Sequence, residues 1–284
     1  MRTPAGRVTP ESVLLVLGGI VSVQLGAAVA KHLFPVVGPA GAVLLRLAVG
    51  GLLLVAVTRP RLAVVRGQVR LALAFGAVLA AMNLSFYAAL TRIPLGAAVT
   101  IEFLGPLTLA VVTSRRRTDV AWALLAGLGV AAVSWKGGGG LDPVGVAFAL
   151  AAGAGWTGYI LLSQRLGAAG PGLTGLAVAV TAGAVVAAVP GIAQGGAQLL
   201  RPEVLALGAA VGLLSSAVPY ALELLALRRL PASTFGILMS LEPAVAAVAG
   251  LLLLGEGLAP VQVAGILAVC VASAAVTAGA PPEP

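Results

Sequence analysis

The sequence predicts an all-α membrane protein with ten transmembrane helices, arranged as two inverted five-helix repeats. Composition indicates the membrane: 60% of the 284 residues are hydrophobic and 9% are charged, whereas about a quarter of the residues in an average soluble domain are charged. A soluble core could not bury this much apolar surface. A repeated motif, offset by nearly half the chain, divides the helices into two sets of five.

Ten apolar segments supply the predicted helices, since a spanning helix needs about 20 apolar residues. Proline and glycine separate these segments. The glycine run Gly137–Gly140 lies between the fifth and the sixth, so we expect one repeat over residues 1–136 and the other over residues 137–284. The segments are 12–34, 38–57, 69–90, 94–113, 118–135, 142–163, 172–193, 204–227, 231–254 and 258–279.

The basic residues predict the orientation, because the cytoplasmic loops of membrane proteins are enriched in lysine and arginine. With a cytoplasmic N-terminus, the inside flanks hold Arg2, Arg7, Arg59, Arg61, Arg66, Arg70, Arg115, Arg116, Arg117, Arg165, Arg228 and Arg229. The outside flanks hold Lys31, Arg92, Lys136 and Arg201. Ten crossings return the C-terminus to the cytoplasm, and five crossings per half invert the second half relative to the first.

The repeated motif covers Arg92–Pro106 in the first half and Arg229–Pro243 in the second, at an offset of 137 residues. Each copy has a glutamate, Glu102 or Glu242, shortly before its closing proline and inside an apolar run. A charged side chain at the centre of a spanning helix costs roughly 2.5–3.5 kcal/mol, which favours a functional role for both glutamates. A purely structural salt bridge or interhelical hydrogen bond is the alternative.

Three prolines predict breaks in the spanning helices. Pro106, Pro219 and Pro243 each lack the N–H that would bond to the carbonyl group four residues earlier. Helices are expected to break or kink there. The carbonyl groups freed near Glu102 and Glu242 would then face a cavity or another helix.

Arg46 is the candidate cation within the second span. Its planar guanidinium group could pair with Glu102 or hold a substrate carboxylate; the alternative is an arginine that snorkels to the outer face. Further polar and aromatic residues could line a cavity, or could equally bridge and pack neighbouring helices. They are Gln24, Asn83, Trp156, Tyr159, Ser215, Ser216 and Ser240.

Three other acidic residues are expected to have simpler roles. Glu223 lies five residues before Arg228, so we expect it at the membrane interface. Asp119 and Glu256 stand near helix starts, where a negative charge suits the helix dipole, and we expect them to cap helices.

Several function classes lack support. The string Gly153–Gly158 matches the dinucleotide pattern G-x-G-x-x-G, but no strand precedes it, so its small residues are better read as close-packing positions. No P-loop and no catalytic motif is recognised, and His32 and Cys270, the one histidine and the one cysteine, cannot form a zinc site or an intrachain disulfide. The arginines lie in short gaps between apolar runs, which argues against nucleic acid. We therefore expect no enzyme, no metal and no cofactor.

Inverted repeats are the architecture of many secondary transporters, whose substrate site lies at the repeat interface near the membrane midplane. Longer strings in this sequence resemble the EamA-type carriers of the drug/metabolite transporter superfamily, and among them the threonine/homoserine exporter type. The strings are Phe86-Tyr87, Arg92-Ile93-Pro94-Leu95-Gly96, Glu102-Phe103, Gly105-Pro106, Pro219-Tyr220, Leu222-Glu223, Leu230-Pro231, Thr234-Phe235-Gly236, Met239-Ser240, Leu241-Glu242-Pro243, Leu254-Gly255-Glu256 and Gln262-Val263-Ala264-Gly265.

The resemblance implies export of small amino acids across the plasma membrane, driven by the proton gradient. In that setting Glu102 and Glu242 are candidates for proton coupling or for binding a substrate ammonium group, and Arg46 for binding the substrate carboxylate. The implied partners are the amino acid, protons and membrane lipid, and a homodimer stays open. The alternatives are a carrier of another metabolite or drug on the same scaffold and a membrane subunit that does not transport.

Overall fold

The computed structural model describes residues 9–59, 62–114, 116–135, 140–168, 172–227, 229–230 and 232–279, and this part of the chain consists of helices and short connections without strands. The predicted linker is outside this part except for Gly140, and so are Arg228 and Pro231. The helices are α1 (Pro10–Thr58), α2 (Leu62–Leu90), α3 (Leu95–Glu102), α4 (Leu104–Thr113), α5 (Thr118–Ser134), α6 (Pro143–Ala168), α7 (Gly172–Gly195), α8 (Pro202–Gly212), α9 (Val218–Leu227), α10 (Ala232–Met239), α11 (Glu242–Leu254) and α12 (Pro260–Gly279). A 3-10 turn, Gly196–Leu200, precedes α8, and a π turn, Leu213–Ala217, joins α8 to α9.

Helix α1 contains the first two predicted segments. A straight helix of its 49 residues would be about 74 Å long, more than twice the roughly 30 Å apolar core of a bilayer. The helix bends at Gly38, whose φ of 70° and ψ of 167° are not helical. Glycine is required there because other residues rarely adopt this region. The Ala40 N–H, two residues after the bend, donates to Gln194 Oε1 of α7 at 2.9 Å.

Eight helical stretches in the described residues are long and apolar enough to span a membrane, and Thr118–Ser134 is a shorter apolar helix. Many of their large apolar side chains face outward, among them Leu52, Val189 and Leu252, each at least 70% exposed. In water such a surface would be very unfavourable, but it suits contact with lipid tails. The predicted class, an all-α multi-pass membrane protein, is confirmed.

The bundle places the two halves of the chain against each other. Helix α1 packs on α7, α8 and α9, and α2 packs on α6 and α7. Helix α3 packs on α11, and α5 packs on α12. The α5–α12 crossing is close because glycines face each other: a Cβ on Gly265 would lie 2.4 Å from the Gly129 carbonyl oxygen. Small residues of this kind let membrane helices approach closely.

We predict that Gly38→Ala lowers the stability of the folded bundle by roughly 1–3 kcal/mol, because alanine is strained at this backbone conformation. The new Cβ would also lie 2.4 Å from Gln194 Oε1. The apparent midpoint of thermal unfolding in detergent measures the effect. The matched control is Gly127→Ala in α5, where a Cβ meets nothing within 4 Å. Equal midpoints for the two variants would show that the bend does not depend on glycine.

Candidate functional site

A cavity of about 410 Å³ lies in the middle of the bundle, within the range of roughly 300–1,000 Å³ typical of small-molecule sites. Residues from both halves of the chain line it. Its polar lining consists of Gln24, Arg46, Asn83, Glu102, Ser215, Ser216, Glu223, Glu242, Ser273 and Thr277. Its aromatic lining consists of Phe86, Phe103, Trp156, Tyr159 and Phe235.

The first helix break brings Glu102 to this cavity. Helix α3 ends at Glu102 and α4 begins at Leu104, so the chain is interrupted just before Pro106, which also lines the cavity. The Glu102 carbonyl group, which has no N–H to accept from Pro106, lies against Gly153 of α6, where an added Cβ would come within 2.6 Å of its oxygen. The small residues of the Gly153–Gly158 string thus serve close packing, as predicted from the sequence.

The second break brings Glu242 to the same cavity. Helix α10 ends at Met239, and α11 begins at Glu242 with Pro243 in its first turn. Pro243 is buried and is not part of the cavity lining, whereas Glu242 lines the cavity and is 8% exposed. A carboxylate at the N-terminus of a helix is stabilised by the helix dipole. Glu102 has the opposite position in α3, at the C-terminus.

Gln24 of α1 binds Glu242 directly. Its Nε2 donates to Glu242 Oε1 at 3.2 Å, and both side chains are buried. The two residues are 218 positions apart in the sequence. The contact therefore connects the first helix of the chain to the second helix break.

Arg46 also lies at the cavity and not at the outer surface. Its Nη2 donates to the Ser215 carbonyl oxygen at 3.3 Å, its Nη1 lies 3.5 Å from the Tyr87 hydroxyl, and its guanidinium group stands 5.8 Å from the centre of the Tyr87 ring. Pro219 explains the first contact, because it cannot donate to the Ser215 carbonyl group. The π turn Leu213–Ala217 occurs at this position, as expected where a helix is interrupted near a functional site.

The other predicted residues divide into two groups. Asn83, Trp156 and Tyr159 line the cavity, and Trp156 packs edge-on against Phe103 with ring centres 5.3 Å apart. Ser240 lies outside the cavity lining; its hydroxyl bonds to Ser273 Oγ of α12 at 2.9 Å. It therefore bridges two helices, which was the alternative for these polar residues.

Sequence reasoning missed part of the lining. Glu223 was expected at the membrane interface, and this was wrong: it lines the cavity, one helical turn after Pro219. Ser273 and Thr277 were not singled out, although their spacing of four residues puts both on one face of α12. Marking the polar residues of the last apolar segment at the period of an α-helix would have shown that Ser273 and Thr277 share a face.

Glu256 caps a helix, but not the one that follows it in sequence. Its Oε2 accepts from the N–H of Leu95, the first residue of α3, at 2.7 Å, and its Oε1 forms an ion pair with Lys31 of α1. Three separate elements meet at this contact.

Asp119, in the first turn of α5, accepts a hydrogen bond from the Ser114 hydroxyl in the preceding loop.

A second ion pair lies on the same side of the bundle. Arg92, just after α2, donates to Asp142, just before α6, at 2.8 Å. This hydrogen bond from the Arg92 guanidinium group lowers the pKa of the exposed Asp142 carboxyl group below its usual value. The Asp142 carboxyl group is therefore ionised at neutral pH.

Broken helices around a central cavity that carries charged side chains, within a bundle that faces lipid, are typical of integral membrane carriers. Residues 143–278 match the model of the EamA-like transporter family. The chain is 45% identical over 269 residues to the threonine/homoserine exporter RhtA of Escherichia coli strain K12, which covers 92% of this chain and 89% of that protein. It is 44% identical over 265 residues to the threonine/homoserine exporter RhtA of Salmonella typhimurium strain SL1344, with the same coverage. The chain belongs to the EamA-like transporter family.

A solved crystal structure has the same fold. It superposes with a TM-score of 0.64 at 19% sequence identity, over 95% of this chain and 96% of that one. The similarity therefore extends through both halves of the bundle.

Proposed function

We propose that this protein exports small amino acids, with threonine and homoserine as the leading substrates, across the plasma membrane in exchange for protons. The observation that carries the proposal is the cavity itself, in which two carboxylates, Glu102 and Glu242, and one guanidinium group, Arg46, face the same space. A zwitterionic amino acid needs partners of both charges. The substrates are suggested by the relatives, which are named as exporters of threonine and homoserine.

The proposed topology has ten crossings in two inverted halves, residues 1–136 and 137–284. It counts α1 as two crossings that meet at Gly38 and α5 as a short one. The inverted arrangement is supported by the depth in the bundle at which the broken helices contact each other. Helix α3 runs from a membrane face to its break, and α11 runs from its break to a membrane face, and these two helices contact each other. Halves of equal orientation would instead put α3 at the level of α10.

The proposed orientation puts both termini in the cytoplasm, following the basic residues. The cavity lining extends towards that face, since it includes Ala110 near the end of α4, Phe235 near the start of α10 and Thr277 near the end of α12. An ion pair between Glu11 and Arg229, at 3.4 Å, lies on the same side. We assign the structure to an inward-facing state of an alternating-access cycle.

In this cycle the contacts around Glu256 close the outer face. They connect α1 through Lys31, the α11–α12 connection through Glu256, and the start of α3 through Leu95. Opening the outer face would require these elements to separate. The ion pair is only partly exposed, at 19% for Lys31 and 16% for Glu256, so it is less screened than a pair at a free surface.

We assign proton coupling to Glu102. Its carboxyl group is 8% exposed, lines the cavity and ends α3 beside a helix break. A carboxyl group in this position can alternate between protonated and ionised forms as the two faces open in turn. Arg46 would hold the carboxylate of the amino acid, through a guanidinium fork suited to that group.

The first prediction concerns the substrate. Cells that lack their own exporters and express this protein should release labelled threonine and homoserine faster than cells without it, and an uncoupler should abolish the difference. Efflux assays with both labels measure this. If a correctly inserted protein exports neither amino acid, the substrate assignment is wrong and a carrier of another metabolite takes its place.

The second prediction concerns coupling. In proteoliposomes, Glu102→Gln should retain exchange of labelled for unlabelled substrate but lose uphill transport driven by a pH gradient, because glutamine cannot carry the proton. The matched control is Glu203→Gln, at an exposed position in the first turn of α8, which should keep both activities. Gradient-driven transport at the unmodified rate by the Glu102 variant would contradict the assignment.

The third prediction concerns the outer closure. Glu256→Gln keeps an acceptor for the Leu95 N–H but loses the charge opposite Lys31, which should destabilise the closed outer face by about 1 kcal/mol. In a Cys270→Ala background with a cysteine at Val99, a lining position, a membrane-impermeant thiol reagent added outside should then react about fivefold faster. Glu11→Gln, which removes an ion pair at the opposite face, is the control. Equal rates for the two variants would exclude the Lys31–Glu256 pair as an outer closure.

A further inference from the structure

We propose that Gln24 and Glu242 together form the subsite for the primary ammonium group of the transported molecule. The inference rests on the proposed function in that it takes the substrate to be an amino acid. It goes further by naming a pair of acceptor atoms, one from each half of the chain, and by separating the roles of the two cavity glutamates.

The orientation of the Gln24 amide follows from chemistry. Nε2 lies 3.2 Å from Glu242 Oε1, and this is the orientation that an ionised Glu242 requires, because an ionised carboxylate only accepts hydrogen bonds. This contact directs the other amide atom, Oε1, away from the carboxylate. The side chains are held in place by burial, with Gln24 1% and Glu242 8% exposed.

Two acceptors are left over by this arrangement. Gln24 Oε1 and Glu242 Oε2 are both buried, and neither accepts a hydrogen bond from the described part of the chain. Buried acceptors without a donor are rare in proteins because they are costly. Both residues line the cavity. An ammonium group carries three N–H donors and a positive charge, so it can satisfy both atoms and neutralise the carboxylate.

Helix position separates Glu242 from Glu102. Glu242 begins α11, where the dipole favours a negative charge, whereas Glu102 ends α3, where the dipole opposes it. Of the two glutamates, Glu242 therefore has the position that better stabilises a carboxylate paired with a bound cation. Glu102 is the better placed of the two to take up and release a proton. This division leaves Arg46 for the substrate carboxylate.

The subsite predicts selectivity for amines. A molecule that lacks the ammonium group would leave Gln24 Oε1 and Glu242 Oε2 without a donor, and if it carries a carboxylate it would also be repelled by Glu242. Homoserine and 4-hydroxybutyrate are a suitable pair of probes, because they differ only in the amino group. 4-Aminobutanol and 1-butanol form a second pair without a carboxylate, and they too differ only in the amino group.

The test is calorimetric titration of the purified full-length protein in detergent with the four probes. The unmodified protein should bind each amine at least about tenfold more tightly than its partner without nitrogen. Gln24→Leu should weaken the binding of both amines about tenfold and leave the nitrogen-free partners within twofold. Glu242→Gln, which keeps the size of the side chain but turns an acceptor into a donor, should remove the preference for amines entirely.

The control is Gln262→Leu. This glutamine is 2% exposed and accepts from Ala259 N–H and donates to the Val133 carbonyl group, away from the cavity. Its replacement should lower the thermal midpoint without changing the ratio between an amine and its partner. A merely structural role for Gln24 would give the same pattern as the control, and that result would overturn the inference.

Failure of the subsite and failure of the proposed function are distinguishable. If homoserine binds but Gln24→Leu weakens homoserine and 4-hydroxybutyrate equally, the subsite is wrong and the amino-acid assignment stands. If homoserine does not bind but 4-aminobutanol does, with the expected dependence on Gln24, the subsite stands and the substrate assignment is wrong. If the unmodified protein binds neither amine, the subsite is overturned.

Discussion

Interrupted helices inside a membrane require a partner from the protein for each freed backbone group, since lipid tails cannot form hydrogen bonds. Much of this structure meets that requirement. The Ala40 N–H past the bend of α1 donates to Gln194, the Ser215 carbonyl group before Pro219 accepts from Arg46, and the N–H that begins α3 donates to Glu256. Each partner comes from another helix or connection. The breaks therefore fix how the helices are placed around the cavity.

The same requirement applies to the charged side chains at the cavity, which are stabilised by polar partners inside the bundle. Arg46 is stabilised by the Ser215 carbonyl group and by the Tyr87 ring, and Glu242 by the Gln24 amide and by the start of α11. A charge held in this way is less costly to bury than an isolated one. It also keeps a fixed direction towards the cavity. In the proposed function, fixed charges of both signs at one cavity suit the site to a zwitterionic substrate.

The sequence predicted the membrane class, the helix breaks near Pro106 and Pro243 and the close packing of the Gly153–Gly158 string, because proline, glycine and composition act locally. It did not predict contacts that depend on the rotation of one helix against another. Gln24 meets Glu242 across 218 residues, and Glu256 caps α3 and not the helix that follows it. Ser240 turned away from the cavity and Glu223 towards it, although both are single polar residues in apolar runs. Such rotations depend on how the side chains of neighbouring helices pack. This packing cannot be predicted from apolar segments whose side chains resemble one another.

The ion pairs assigned to the outer closure also affect how readily a carrier of this kind can change between its two states. In the proposed orientation, two ion pairs, Lys31–Glu256 and Arg92–Asp142, lie at the outer face, and the side chains of the second pair are 44% and 32% exposed. Exposed pairs contribute about 0–1 kcal/mol each, far less than a packed apolar seam of the same extent would. In the proposed cycle, therefore, hydrogen bonds around the breaks join the two halves beside the cavity, and solvent-accessible ion pairs lie where the outer face has to open.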